Sequence, residues 1–190
     1  MDRKNLKILY LTQKVDKDDN ILFPFYKWLN LMADEVERIS VICLKEGRHE
    51  DLRQNIKVYS LGKEKGEGRR GYLRNFYITA WRLFKNKEVD LVFAHMTEIN
   101  VLLIWPLAWL FGKPIFWWKA HGHLSWKSKL AVAAVRRIFT SSASGFPVKT
   151  AKKRITGQGV DTDYFSIKNF YPERACKIIW AGRIAAIKNI

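Results

Sequence analysis

Hydrophobic positions along the 190-residue chain fall into short runs that alternate with longer stretches of helical spacing. The short runs are largely apolar at consecutive positions, which is typical of strands that a sheet buries on both faces. They predict seven strands, at residues 7–11, 40–44, 56–61, 90–94, 114–119, 137–141 and 153–157.

Four stretches between these strands have the spacing of helices. Two of them carry an apolar stripe, Phe25, Trp28, Leu29, Met32 and Val36 in the first and Leu73, Phe76, Tyr77, Ala80 and Phe84 in the second. Residues 100–111 are apolar almost all round, so we expect a buried helix there. Residues 126–136 form the fourth candidate, which is basic at both ends.

The alternation of strands and helices predicts an α/β fold, with a Rossmann-like, mainly parallel sheet and helices on both faces. The longest apolar stretch, residues 101–118, is interrupted by Gly112, Lys113 and Pro114. Neither half approaches the ~20 residues of a membrane span. We therefore interpret this stretch as a helix followed by a strand.

The pattern changes at Gly157, where an irregular connector precedes a new strand at residues 177–181. The length suits one complete domain and the beginning of another. We predict a first domain at 1–157, a crossover at 158–174, and the first strand and loop of a truncated second domain at 175–190.

A net charge of +16 indicates an anionic partner, such as nucleic acid, acidic lipid or a phosphorylated substrate. The basic residues are dispersed and no nucleic-acid motif is recognisable, so a nucleic-acid-binding module is an alternative rather than our main prediction. Two basic groups could contact a membrane or simply be solvated: Lys127, Lys129, Arg136 and Arg137 beside Trp126, and Lys149, Lys152, Lys153 and Arg154.

The two cysteines, Cys43 and Cys176, lie in apolar runs without a CxxC motif or a neighbouring histidine. We predict that they are small core residues of a cytosolic protein and that no metal is bound. The serines at positions 141, 142 and 144 lack a GxSxG motif, so they indicate a strand-end turn rather than a nucleophile.

Several segments, taken in order, resemble the GT-B glycosyltransferases of family 4, also called glycosyl transferases group 1. GQGVDTDYF at 157–165 resembles the crossover between the two domains of that family, and KIIWAGRIAAIKN at 177–189 resembles the start of its second domain. KILYLTQ at 7–13, DLVFAHM at 90–96 and PIFWWKAHG at 114–122 resemble its first, fourth and fifth strands. The resemblance covers essentially the whole chain.

Two histidines follow predicted strands, and ligands of open parallel sheets bind beyond the carboxyl ends of the strands. We therefore expect the imidazoles of His95 and His121 at the rim of a cleft, where each could donate to a sugar hydroxyl or a phosphate. The resemblance implies that His121, with Gly122, contacts the transferred sugar or the donor phosphate. A purely structural role is the alternative for both histidines.

The resemblance also implies that Gly182, Arg183 and Lys188 hold the donor diphosphate, where fixed cations would offset the charge of the leaving group. No metal or other cofactor is expected besides the nucleotide-sugar co-substrate. The loop at residues 15–20, VDKDDN, lacks the glycines usual in the family, so we assign no phosphate contact there. Asp18, Asp19 or Asn20 could cap the following helix.

The expected function is that of the N-terminal half of a glycosyltransferase, which passes a sugar from a nucleotide-sugar donor to a sugar or lipid-linked acceptor with retention. The alternative is a non-catalytic acceptor-binding or membrane-docking subunit, whose partner polypeptide carries the donor domain. No catalytic residue is assigned. The expected location is the cytoplasm, including the inner face of the cell membrane, where basic residues would contact anionic lipid.

Overall fold

The computed structural model describes residues 3–159, in which seven strands form one sheet. Every strand pair is parallel, and the strand order is β3-β2-β1-β4-β5-β6-β7. All seven predicted strands are confirmed. Their bounds are β1 (Lys7–Val15), β2 (Arg38–Glu46), β3 (Ile56–Ser60), β4 (Leu91–His95), β5 (Ile115–Trp118), β6 (Arg137–Thr140) and β7 (Lys153–Ile155).

Helices cover both faces of the sheet, as predicted. Short 3-10 turns lie at Arg3–Asn5 and Lys63–Lys65, and the α-helices are α1 (Phe23–Ala33), α2 (Arg69–Lys85), α3 (Glu98–Leu110) and α4 (Trp126–Ala134). Helix α1 packs on one face through Tyr26 and Leu29, against Tyr10 and Val41 of the sheet. Helices α2, α3 and α4 share the core of the opposite face. The fold is therefore the predicted Rossmann-like α/β fold.

Strand β1 is four residues longer than predicted. Its polar residues Thr12 and Lys14 pair with Cys43 and Lys45 of β2, and the ladder continues to Val15. Backbone hydrogen bonding to a neighbouring strand thus outweighs the loss of the apolar pattern, because each ladder bond satisfies buried backbone groups whatever the side chain is. The loop after β1 consequently starts at Asp16.

Strand β4 ends one residue later than predicted, so His95 is its last residue rather than the first residue of the following loop. His95 pairs in register with Trp118, the last residue of β5. This difference of a single residue changes the surroundings of the imidazole, as described below.

Helix α3 is not buried all round, which corrects the sequence-based expectation. Val101, Ile104 and Ala108 face the sheet and are buried, whereas Trp109 and Leu110 are 75% and 58% exposed. The helix belongs to the outer layer of the domain, so only one stripe of it can contact the sheet. Leu102, Leu103 and Leu107 are partly buried against the same core, and Ile99 and Trp105 are exposed along with Trp109 and Leu110.

Cys43 is free and buried in β2, and burial raises the pKa of its thiol to about 12. It is therefore a core residue, as predicted. No helix within residues 3–159 is long and apolar enough to cross a bilayer. Cys176, the crossover and the start of the second domain lie outside the described residues, and the domain boundaries stay a prediction.

The buried stripe of α3 provides a test of the packing. We expect Ile104→Ala to lower the free energy of unfolding by about 2–5 kcal/mol, because it leaves a cavity against the sheet. Leu110→Ala, in the same helix but exposed, should change it by less than about 0.5 kcal/mol. Urea denaturation followed by circular dichroism measures both, and equal effects would contradict the orientation of α3.

Candidate functional site

The carboxyl ends of β1, β4, β5 and β6 lie at one edge of the sheet, because all four strands run parallel. This is the edge at which open α/β sheets bind ligands. The loops that follow these strands, at residues 16–22, 96–97, 119–125 and 141–152, carry the candidate functional residues.

His121 lies in the loop after β5 and is exposed, as predicted. Its Nδ1 accepts a hydrogen bond from the backbone N–H of His123 at 3.2 Å. A neutral imidazole that accepts at Nδ1 carries its proton at Nε2. The ring therefore presents an N–H donor to solvent, which is the group needed to bind a sugar hydroxyl or a phosphate oxygen.

Gly122 brings the loop after β5 against the loop after β6. A Cβ atom at this position would lie 3.4 Å from the carbonyl oxygen of Ser144. The neighbouring serines form a compact turn, in which Gly145 N–H donates to Ser142 Oγ at 3.0 Å and Ser142 Oγ lies 3.1 Å from Ser144 Oγ. These bonds agree with the strand-end turn that the sequence predicts.

His95 does not reach the rim of the edge, which corrects the placement expected from the sequence. Its side chain is 1% exposed, its Nδ1 lies 3.2 Å from Thr12 Oγ1, and its ring centroid lies 4.1 Å from that of Phe25. The extra residue of β4 places the ring beneath α1, where Phe25 covers it. Burial lowers the pKa of His95 to about 4, so the ring is neutral at pH 7.

Beside His95 the backbone of Met96 adopts φ 64°, a left-handed conformation that is uncommon for a residue with a side chain. Its N–H donates to the carbonyl oxygen of Trp118 at 2.7 Å. This bond continues the pairing of β4 and β5 one residue beyond His95, and it turns the chain towards Thr97 and α3.

A network that the sequence analysis missed fixes the loop carrying His121. Lys119, the first residue after β5, is largely buried and places Nζ 3.0 Å from Glu98 Oε2. Ser125 Oγ donates to Glu98 Oε1 at 2.9 Å and accepts from the Ser128 backbone N–H at 3.1 Å, capping α4. One carboxylate thus holds both ends of the loop. The N-cap serine was a visible sequence signal, but its partner 27 positions away was not.

The charge of Glu98 is stabilised in place. Burial by itself raises the pKa of this carboxyl group, but hydrogen bonds from its own backbone N–H, from Lys119 and from Ser125 together lower it to about 2. Glu98 is also the first residue of α3, where the helix dipole favours a negative charge. Glu98 therefore stays ionised over the physiological pH range.

The loop after β1 is held by ion pairs. Lys14 Nζ lies 2.8 Å from both Asp16 Oδ2 and Asp19 Oδ2. Asp19 Oδ1 accepts from the backbone N–H groups of Ile21 and Leu22 at 2.9 and 2.7 Å, which fixes the turn before α1. The N-cap of α1 is Leu22 and has no side-chain capping bond, so the expected cap by Asp18, Asp19 or Asn20 is corrected. The hydrogen bonds from Lys14 and from the Leu22 backbone lower the pKa of Asp19 to about 2.

The predicted diphosphate-binding residues Gly182, Arg183 and Lys188 lie outside the described residues. Their role stays a prediction, as does the expectation that no metal is needed. Within the described part of the chain, His121 and Gly122 lie exposed at the carboxyl edge, whereas His95 is buried beneath α1.

Residues 7–145 match the family model described as glycosyl transferase 4-like. The match includes β1 to β6 and the loops that carry His121 and the Lys119–Glu98 pair. None of the curated proteins compared with the sequence matches it.

Several solved structures share the fold. MurG of Acinetobacter baumannii is 16% identical with a TM-score of 0.53, over 78% of this chain and 44% of its own. The Anabaena protein Alr3699/HepE in complex with UDP is 14% identical with a TM-score of 0.59, over 84% of this chain and 46% of its own. HepE has also been solved with UDP and glucose and with UDP-glucose.

A UDP-N-acetylglucosamine 2-epimerase is similar to the same degree, with 12% identity and a TM-score of 0.58 over 90% of this chain and 53% of its own. At such identities the likeness concerns the fold. The chain spans about half the length of the solved structures that it matches.

The Glu98 network leads to a prediction about pH. The pKa of Glu98 is lower in the folded chain than its ordinary value of 4.5, so its stabilising effect is present above pH 4.5 and is lost as the pH falls towards 2. We expect Glu98→Gln to lower the free energy of unfolding by about 1–3 kcal/mol at pH 7. This difference from the wild type should shrink steadily between pH 5 and pH 2.

Glu35→Gln, at an exposed position after α1, is the matched control and should behave like the wild type. Urea unfolding at a series of pH values measures all three proteins. A Glu98→Gln effect that is the same at pH 7 and pH 3 would show that the carboxylate charge is not what stabilises the loop.

Proposed function

The chain belongs to the glycosyl transferase 4-like family, and from this premise we propose that it forms the acceptor-binding half of a glycosyltransferase that uses a nucleotide-sugar donor. The observation that carries the proposal is the exposed His121 imidazole at the carboxyl edge of a Rossmann-like sheet. The UDP and UDP-glucose complexes of HepE, which shares this fold, support a nucleotide-sugar as the donor.

In this proposal His121 donates its Nε2–H to a hydroxyl of the transferred sugar or to an oxygen of the donor phosphate. Negative charge develops on the leaving diphosphate as the bond to the sugar breaks, and a fixed donor aimed at that charge lowers the barrier. The reaction proceeds with retention. The acceptor attacks from the face that the leaving group occupies, and the leaving phosphate accepts the acceptor's proton.

No side chain of this chain acts as a nucleophile in the proposed reaction. The serine turn after β6 is consistent with this assignment, because Ser142 bonds the Gly145 backbone and lies against Ser144. The remaining donor contacts are proposed for Gly182, Arg183 and Lys188, whose cations would offset the diphosphate charge without a metal.

The Lys119–Glu98–Ser125 network is proposed to position His121. The network fixes residues on both sides of the histidine to Glu98 at the start of α3. Within it, the charge of Lys119 is balanced by that of Glu98. A nucleotide-sugar approaching this edge therefore meets the Nε2–H donor of His121 in a fixed loop. Lys119 is occupied by Glu98 and is not counted among the phosphate-binding cations.

The second candidate is a non-catalytic acceptor-binding or membrane-docking subunit, whose partner polypeptide carries the donor domain. The two proposals use the same acceptor-side residues, and they differ in where the donor-binding half is encoded. We propose a cytoplasmic location at the inner face of the membrane in both cases, with a sugar or lipid-linked acceptor.

Replacing His121 tests the proposed role directly. We expect His121→Ala to lower kcat/KM for sugar transfer about 100-fold, because one donor to the developing charge is lost. Its free energy of unfolding should stay within about 0.5 kcal/mol of the wild type, since the side chain is exposed. Transfer from a panel of nucleotide-sugars is measured by release of the nucleoside diphosphate.

His123→Ala is the matched control, because it removes the neighbouring exposed imidazole and keeps the backbone N–H that bonds His121 Nδ1. The assay is run with the chain alone and with a polypeptide that supplies a donor-binding domain, and we expect transfer only in the second case. Equal activity of His121→Ala and His123→Ala would contradict the role of His121. Transfer by the chain alone would contradict the need for a second half.

A further inference from the structure

Three helices on one face of the sheet carry most of the exposed apolar surface. Fourteen large apolar side chains are exposed within the described residues, and ten of them lie on α2, α3 and α4. The most exposed of these ten are Trp109 at 75%, Trp126 at 67% and Ile78 at 62%. The full set is Leu73, Tyr77, Ile78 and Trp81 on α2, Ile99, Trp105, Trp109 and Leu110 on α3, and Trp126 and Leu130 on α4.

These residues belong to one continuous layer, which we name the α2–α4 face. The buried sides of all three helices share a single core against the sheet, so their exposed sides point away from it together. Direct contacts join α2 to α3, since Tyr77 Oη donates to the Leu103 carbonyl oxygen at 3.1 Å and the Trp81 ring packs edge-on against Phe111, the residue after α3. A group of ten exposed large apolar side chains on one layer of helices indicates an interaction site.

The same helices are rich in cations that have no anionic partner within residues 3–159. They contain seven basic residues, and none of these forms an ion pair within residues 3–159: Arg69, Arg70, Arg74, Arg82, Lys85, Lys127 and Lys129. Their one acidic residue, Glu98, is already bound to Lys119 and Ser125.

The opposite side of the domain differs. Around α1 and the ends of β1 and β2, basic residues are paired, as in the contacts of Lys14 with Asp19 and of Arg53 with Asp34 at 2.8 and 2.9 Å. With seven basic residues and one acidic residue, α2, α3 and α4 have a formal charge of +6, and the same helices expose tryptophan. Exposed apolar side chains and an excess of basic side chains therefore occur on the same three helices.

We propose that the α2–α4 face docks on an anionic lipid bilayer. Tryptophan and leucine side chains at this surface would enter the boundary between headgroups and acyl chains, where amphipathic aromatic rings are favoured. The unpaired arginine and lysine side chains beside them would contact lipid phosphates, because the negative surface potential of such a bilayer attracts them. Charge complementarity thus identifies a lipid surface as the occupant.

A groove at the end of α3 extends this surface. It has a volume of about 310 Å³ and is lined by Trp105, Trp109, Lys113 and Arg136, among others. Lys113 lies 3.6 Å from Asp90, and Arg136 has no acidic partner within the described residues. Two tryptophan rings beside a guanidinium match a phosphate headgroup with its attached acyl chain.

The position of the face bears on the acceptor, and this step alone rests on the proposed function. Helices α3 and α4 begin at the carboxyl edge of the sheet, so Ile99 and Trp126 bring the α2–α4 face next to the loop that carries His121. An acceptor anchored in the bilayer by a lipid would reach that edge without leaving the membrane. The geometry therefore favours the lipid-linked acceptor over a free sugar.

Vesicle flotation tests the docking. The full chain is mixed with phosphatidylcholine vesicles, with or without about 30% phosphatidylglycerol, and the bound fraction is measured at low and high salt. We expect binding to the anionic vesicles that weakens with salt. Trp109→Glu/Leu110→Glu should reduce binding about 100-fold, and Arg74→Gln/Lys85→Gln about 30-fold on anionic vesicles, with little change on neutral ones.

Leu31→Glu is the matched control, because Leu31 is 65% exposed on α1, on the opposite face, and its variant should bind like the wild type. Circular dichroism shows that each variant is folded. Unchanged binding of the Trp109/Leu110 variant, or no binding by the wild type, overturns the proposal. Dimers in sedimentation velocity that this variant dissociates, without vesicle binding, would instead assign the face to a second copy. The His121→Ala variant should bind vesicles as the wild type does. Failure of the docking proposal can therefore be distinguished from failure of the proposed function.

Discussion

Strand β1 pairs in parallel with β2 on one side and β4 on the other, and the rest of the domain follows from that arrangement. Parallel neighbours cannot be joined by a tight turn, so each connection must return across a face of the sheet. Here α1 returns on one face and α2, α3 and α4 on the other. The same constraint gathers the carboxyl ends of the strands at one edge, and it leaves three helices side by side as an outer layer.

That geometry separates two kinds of surface. The carboxyl edge presents short loops whose charges are mostly compensated within the domain, as in the pairs of Lys14 with Asp19 and of Lys119 with Glu98. Among residues 3–159, the outer helical layer presents basic side chains without an ion-pair partner and apolar side chains that are exposed. The edge is therefore suited to a small ligand bound by directed hydrogen bonds, and the layer to an extended partner bound by many weak contacts.

Much of the fold could be predicted from the sequence, because buried parallel strands give continuous apolar runs that need no knowledge of their partners. All seven strands were found in this way, although the end of β1 was missed where pairing with β2 continues through Thr12 and Lys14. Helix α3 was misjudged because uniform apolarity does not show which stripe of a helix faces the sheet and which faces outwards. The family resemblance was confirmed by the match over residues 7–145.

The site was predicted less completely. His121 and Gly122 could be placed at the carboxyl edge by position alone, whereas the depth of His95 depended on one further residue of β4 and on Phe25, a residue 70 positions earlier in the chain. The bonds of Glu98 to Lys119 and Ser125 join residues more than twenty positions apart, and no local pattern encodes such distances. Their consequence is thermodynamic. A loop whose two ends are fixed to one carboxylate loses its conformational entropy when the chain folds, so little ordering remains for the moment at which a ligand meets His121.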